Sequence, residues 1–178
     1  MADRGSTAGS HGIEAVTRVL QRRGVRYEVV EHDATYSAVA EARAAAADPE
    51  ATAKTVALHD HDGYRLAVLP ASERLDVRRA RELLGASHHL RLATERELAR
   101  DFPAFDVGAM PPFGTEPLLE VVDVRLLGHD RIVCAGGDHR RSVVMDAVDL
   151  LRITEPRVGD ICEHPEEDRG QGGQLSSF

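Results

Sequence analysis

The chain has 178 residues, 42% hydrophobic and 29% charged, which fits one globular domain and excludes a disordered or fibrous polypeptide. No apolar run approaches the ~20 residues of a membrane helix, and the start MADRGSTAGSHG carries no signal-peptide pattern. The net charge of −8 argues against a broad electrostatic grip on nucleic acid, DNA included, and the two cysteines, Cys134 and Cys162, make no disulfide framework, so a reducing, cytoplasmic setting is expected.

Residues 1–10 are small and polar and read as a disordered lead. Ile13, Val16, Val19 and Leu20 mark one face of a helix that Gly24 stops. Tyr27 to Glu31 reads as a strand, and the Ala-rich stretch from Ser37 to Ala47 as a helix ended by Asp48-Pro49. Lys54–His59 and Tyr64–Leu69 form two apolar strands joined by Asp60-His61-Asp62-Gly63, whose Asp-Gly is a hairpin signal. Asp76 caps a helix with Val77, Ala80, Leu83 and Leu84 on its apolar face and Gly85 as its stop. His88–Leu92 is a short strand, and Thr94-Glu95-Arg96-Glu97 is a capping box that opens a helix to Asp101. Phe102 to Pro117 holds four prolines and two glycines, a loop of a length usually kept for function. Strands at Leu118–Val124, Ile132–Ala135 and Ser142–Met145 follow, with Gly136-Gly137-Asp138 as a turn and Ala147–Ile153 as a helix. Residues 11–160 form the domain, α/β (α+β) with a mixed β-sheet flanked by helices. Residues 161–178 read as an acidic, Gly-rich flexible tail that holds −3 of the charge through residue 169.

The 22 basic residues are 21 Arg and one Lys, Lys54. A coding bias toward Arg makes the survivor informative. Lysine offers a compact ammonium on a slim stem whose pKa shifts readily, and arginine offers neither. A lysine-specific task is therefore expected at Lys54.

The motifs of common enzyme classes are missing: there is no P-loop, dinucleotide fingerprint, G-x-S-x-G elbow or CxxC. His59 and His61 share a strand face but have no third ligand at a supporting spacing, and His88-His89 point opposite ways. No metal and no cofactor is implied. Cys134 with His139 is the pattern of a thiol and its base, but Cys134 continues the apolar run Ile132-Val133 and reads better as a small buried hydrophobe. Arg74, Arg78, Arg79 and Arg81 form a local basic patch, solvated or phosphate-binding. Lys54-Thr55, the loop Gly108-Ala109-Met110-Pro111-Pro112-Phe113-Gly114 and Gly136-Gly137-Asp138-His139 are more suggestive together. Glycines let backbone amides approach a ligand and prolines stiffen the loop that presents them, an arrangement able to stabilise an oxyanion or to serve as plain turns.

With these pieces in order, the chain resembles the YbaK/prolyl-tRNA-synthetase-associated editing family. The matching residues are His32 and Thr35 in EHDAT, Lys54-Thr55 in AKTVAL, Pro70 with Leu75-Asp76, Leu84-Gly85, the GAMPPFG loop, the AGGDH turn and Asp149-Leu150. The resemblance spans about Ile13 to Ile153. It implies a mixed sheet flanked by helices and hydrolysis of the ester between a wrong amino acid and a tRNA 3′ end. It maps the family's lysine to Lys54, its G-x-x-x-P loop to Gly108, Ala109, Met110, Pro111 and Pro112, and its later glycine turn to Gly136-Gly137. His32, Thr35, Thr55, Asp138 and His139 would bind substrate. Asp138-His139 departs from the small residue found in many relatives.

An aminoacyl ester is already activated, so no protein nucleophile is required, and the resemblance implies that a ribose hydroxyl of the terminal adenosine assists the water. The acidic balance suits a protein that receives its tRNA with help from a synthetase or elongation factor. Two other readings carry the same residues: a non-catalytic module binding a tRNA end or synthetase, and a hydrolase of small esters or amides.

Overall fold

Local signals set the helix boundaries. Asp76 takes an extended conformation and its Oδ1 accepts the amides of Arg78 (2.9 Å) and Arg79 (3.1 Å), opening α3 (Val77–Leu84), and Gly85 closes it in the left-handed region at φ 62°. Such a cap contributes about 1 kcal/mol. Thr94 and Glu97 complete the reciprocal capping box of α4 (Glu95–Asp101). Ser37 caps α2 (Ala38–Ala44) by accepting the Ala40 amide. The computed structural model describes residues 8–164 and the side chains of 11–164.

The strands are β1 (Tyr27–Glu31), β2 (Thr52–Asp60), β3 (Gly63–Pro70), β4 (Arg91–Leu92), β5 (Leu119–Asp123), β6 (Arg131–Asp138), β7 (Arg141–Asp146) and β8 (Arg157–Gly159). They form one mixed sheet in the order β1-β7-β6-β2-β3-β5-β8, with β4 added to β2. The hairpin β2–β3 turns at Asp60-Gly63 as its Asp-Gly implies. β2 runs parallel to β6 only at Thr52↔Val133 and Ala53↔Cys134. The pairing stops one residue before Lys54, and β2 next receives a partner where Ala93 donates to the Ala57 carbonyl. β2 and β6 thus part as a fork.

Alternation along the strands sorts the core into two layers. Ala53, Ala57, Cys134, Val143 and Met145 pack under α1 (Ala8–Arg23) and α5 (Ala147–Thr154), together with Phe105, Met110 and Phe113 of the long loop. Leu58, Ala67, Leu69 and Val121 pack under α3. Leu20, Leu66, Leu126 and Leu150 are at most 1% exposed, and full burial of such a side chain is worth about 2 kcal/mol.

Several expectations need correction. α1 begins at Ala8, inside the stretch expected to be disordered; residues 1–7 lie outside the described residues. Of His88–Leu92 only Arg91–Leu92 is strand. Gly136-Gly137-Asp138 is not a turn but the end of β6, irregular between Ala135 and Asp138, and the chain turns at His139-Arg140. The reason is distant packing. A Cβ on Gly137 would lie 2.8 Å from Phe105 and 2.9 Å from the Gly12 backbone, so α1 can approach β6 closely only over a glycine. The sequence pattern also missed β8 and the 3-10 turn Val124–Gly128. Ile161 and Cys162 are fully buried rather than tail, held by the Asp76 amide to the Ile161 carbonyl; the rest of the expected tail from residue 165 lies outside the described residues.

Candidate functional site

Lys54 is the first residue of β2 past its pairing with β6. Its neighbours Ala53 and Ala57 belong to the α1 layer, so Lys54 projects to the opposite face, with Val56 and Leu58. There its ammonium donates to the Glu73 carbonyl and is half-buried, and burial draws its pKa below the usual lysine value. It makes no ion pair with a described residue. Thr55 faces the other way, and its buried Oγ1 has no hydrogen-bond partner among the described residues.

The Gly108–Pro112 loop is fastened to the end of β6. Asp106 donates to the Gly137 carbonyl (2.9 Å) and Ala109 donates to Asp106 (3.0 Å). Gly108 sits at φ 89°, a conformation side chains rarely adopt, with the space of its missing Cβ 3.6 Å from the His139 ring. Met110 is buried in the same core cluster as Ala53 and Ala57. The loop is thus fastened to β6 and packs in the α1 layer, on the face of the sheet opposite to the one Lys54 points toward. Pro111 and Pro112 have no amide hydrogen and that of Ala109 is spent, which leaves Gly108 and Met110 as its amides without a hydrogen bond to a described residue.

Gly136 and Gly137 offer less room than their spacing suggested. A Cβ on Gly136 would stand 2.6 Å from the Arg141 carbonyl. Asp138 is buried and engaged: it accepts the Arg140 amide (2.8 Å) and pairs with Arg141 (2.6 Å), clamping the β6–β7 turn. Thr35 donates its amide to the His139 carbonyl and His32 to that of Arg140, zipping the segment after β1 onto this turn. A cleft of about 440 Å³ opens here, lined among others by His32, Tyr36, Asp106, His139 and Arg141. The Tyr36 and His139 rings lie 4.7 Å apart at its mouth.

Beneath the cleft, His32 Nε2 lies 2.9 Å from Ser142 Oγ, which lies 2.5 Å from Glu41 Oε1. His32 Nδ1 is 2.8 Å from the Asp33 carbonyl, which can only accept. The hydroxyl has a single proton for two contacts, so His32 or Glu41 must supply the second. Burial raises the Glu41 carboxyl pKa, which favours Glu41 as the holder. Neither Glu41 nor Ser142 had a signal in the sequence, because they lie far apart along it.

The cysteines are out of play. Both are fully buried; burial raises the Cys134 thiol far above its usual value and pushes Cys162 up to about 12, the latter aided by its bond to Asp123. The double variant Cys134→Ala, Cys162→Ala is expected to keep most of its activity in a deacylation assay; a loss of several orders of magnitude without unfolding would restore a thiol mechanism. The Asp123, Asp160 and Cys162 side chains lie close enough to hold a metal, but Arg125 bridges both acids at 3.0 Å and fills that role with its own charge.

The arginine patch expected near α3 is largely neutralised. Arg74 pairs with Glu163, Arg78 with Asp76 and Glu82, and Arg79 with Asp76 and Asp160. The exposed Arg18, Arg22 and Arg23 on α1 have no ion pair with a described residue.

A family model described as the aminoacyl-tRNA editing domain matches residues 32–153, from the His32 loop through α5. The chain belongs to this family. Among solved structures, one described as "a putative trans-editing enzyme for prolyl tRNA synthetase" is 30% identical at a TM-score of 0.76, covering 86% of this chain and 98% of its own. A scaffold from work on computational grafting of epitope backbones is 28% identical at a TM-score of 0.75, covering 86% and 97%. A hypothetical protein at 24% identity and a TM-score of 0.75, covering 84% and 99%, shares the fold. Comparison with curated proteins gives no match. The editing-domain match contains Lys54, the Gly108–Pro112 loop and Gly136-Gly137. Among the described residues, no helix is long and apolar enough to cross a membrane.

Proposed function

We propose that the protein is a trans-editing aminoacyl-tRNA deacylase that hydrolyses the ester of a mischarged tRNA, a small amino acid on a tRNA such as that for proline. The observation that carries this reading is the fork: Lys54 stands just past the last β2–β6 pair, and the Gly108–Pro112 loop is fastened through Asp106 to Gly137 at the end of β6. Water attacks the ester carbonyl, the bond to the ribose oxygen breaks, and the water proton ends on that oxygen. Free amino acid and a tRNA 3′ hydroxyl result. The amides of Gly108 and Met110 would receive the developing oxyanion. Lys54 would hold the terminal phosphate or ribose, or orient the carbonyl, and a ribose hydroxyl would help to position the water. His32, Thr35, Thr55 and His139 would surround the substrate, and Gly136, Gly137 and Asp138 would hold the floor. A small pocket must supply the selectivity, since one methylene is worth only ~1–3 kcal/mol in binding. A synthetase or elongation factor would deliver the tRNA, and no metal or cofactor is needed.

The test is a panel of mischarged tRNAs incubated with the protein while loss of the ester is followed. Hydrolysis confined to one or a few mischarged species is the expected result. Tight tRNA binding without ester loss would make the protein a binding module. Cleavage of small free esters with intact aminoacyl-tRNA would make it a small-molecule hydrolase.

A further inference from the structure

A second cavity, of about 460 Å³, lies on the far side of the long loop, between α1, the segment 112–118 and α5; Arg22, Arg23, Phe113, Glu120 and Thr154 are among its lining. Glu120 is only 2% exposed. Its Oε1 lies 3.0 Å from Thr154 Oγ1, which also lies 3.1 Å from the Leu150 carbonyl. One hydroxyl proton serves two oxygens, and the carbonyl cannot donate. A protonated Glu120 resolves the count by donating to Thr154, which donates to Leu150. Burial raises the Glu120 pKa to about 8, in keeping with this. Oε2 has no partner among the described residues and is left as a neutral acceptor on the cavity wall.

The mouth is charged. Arg22 and Arg23 line it, and Arg18 stands one turn earlier on α1, all exposed and without an ion pair to a described residue. Glu116 and Glu155 line the same cavity and offset Arg22 and Arg23 in charge, so a positive excess at the mouth rests on Arg18 beside it. A neutral acceptor at the accessible tip of an otherwise buried side chain suits a neutral N–H donor, and guanidiniums without an ion pair to a described residue suit phosphate. A nucleotide whose base carries an exocyclic amino group supplies both.

We propose that this cavity is a nucleotide subsite, which seats the amino-bearing base of an unpaired RNA strand on Glu120 with the strand's phosphates on Arg22 and Arg23. The inference rests on the tRNA reading above and extends it. The C and A bases of a tRNA 3′ end carry such amino groups, whereas U does not.

The probes are two fluorescent oligoribonucleotides, CCCC and UUUU, titrated against the protein and followed by anisotropy. CCCC is expected to bind the wild type about tenfold more tightly than UUUU. The isosteric Glu120→Met variant should lose that preference by weakening CCCC alone, and Glu120→Gln, which keeps a donor and an acceptor, should retain it. Arg22→Ala, Arg23→Ala should weaken both oligonucleotides alike and flatten the dependence of log affinity on log salt by about 1.4, at ~0.7 per single-strand phosphate. Equal binding of CCCC and UUUU by wild type and Glu120→Met overturns the proposal. So does a Glu120→Met variant that binds CCCC normally but loses binding of alaninamide, which would assign the cavity to an amino group of an amino acid. Because uncharged oligonucleotides are used, an inactive deacylase that still discriminates them would sink only the reaction, and an active one that does not would sink only the subsite.

Discussion

Lys54→Ala is expected to slow deacylation of a mischarged tRNA by roughly 30- to 1,000-fold, or ~2–4 kcal/mol of transition-state stabilisation, by analogy with removal of one oxyanion donor. The ammonium sits half-buried with a backbone carbonyl, that of Glu73, as its hydrogen-bond partner and no ion-paired acid among the described residues. A charge held this way keeps donors free for substrate oxygens, and such charge-assisted bonds strengthen where water is excluded. Lys54→Arg is the sharper variant. The planar guanidinium needs more room than a slim ammonium stem, so it should fail nearly as badly. Full activity in Lys54→Arg would show that positive charge alone suffices. Because the chain has no other lysine, amine-directed labelling can reach only Lys54 and the N-terminus, and a substrate analogue should protect Lys54.

Glu120→Gln is expected to stabilise the fold at pH 8.5 and to lose that advantage near pH 4.5. The carboxyl titrates near 4.5 when unperturbed and at about 8 in the fold. Between those values the folded protein keeps a proton that the unfolded chain has released, so the stability from this group falls as pH rises through the interval and levels off above about 8. At ~1.4 kcal/mol per pH unit, the difference reaches about 3 to 5 kcal/mol. The amide can still donate to Thr154 but never ionises. Chemical denaturation of both proteins at pH 4.5, 6 and 8.5 measures it. An offset that does not change with pH would mean that Glu120 is not protonated by its surroundings.

What could be read from the sequence was what is local in it. Asp76 with Gly85, Thr94 with Glu97, and Asp62-Gly63 each encode their structure within a few residues, and each element stands where they put it. The lone lysine and the Pro/Gly loop were legible as unusual chemistry. Their relation was not, because the β2–β6 pairing that ends at Ala53 joins segments far apart in the chain. Gly136-Gly137 read as a turn because the elements that crowd it, Gly12 and Phe105, are far away in sequence. The basic patch is mostly neutralised for the same reason: Asp160 and Glu163 reach back across the fold to Arg79 and Arg74, whereas Arg18, Arg22 and Arg23 of α1, like Arg81, make no ion pair with a described residue.

The fork also has a main-chain consequence. The carbonyls of Ala51 and Ala57 point toward β6 and β4 and are taken by Val133 and Ala93. By strand alternation the N–H and C=O of Thr55, midway between them, point the same way. Among the described residues the centre of the sheet therefore contains a short interior edge, formed by Thr55 and the N–H of Ala57. An edge is where a sheet accepts new hydrogen-bonding partners, and one this short cannot template another strand. It has the dimensions of one amide or ester group, and because the backbone supplies it, no side-chain substitution at Thr55 removes it.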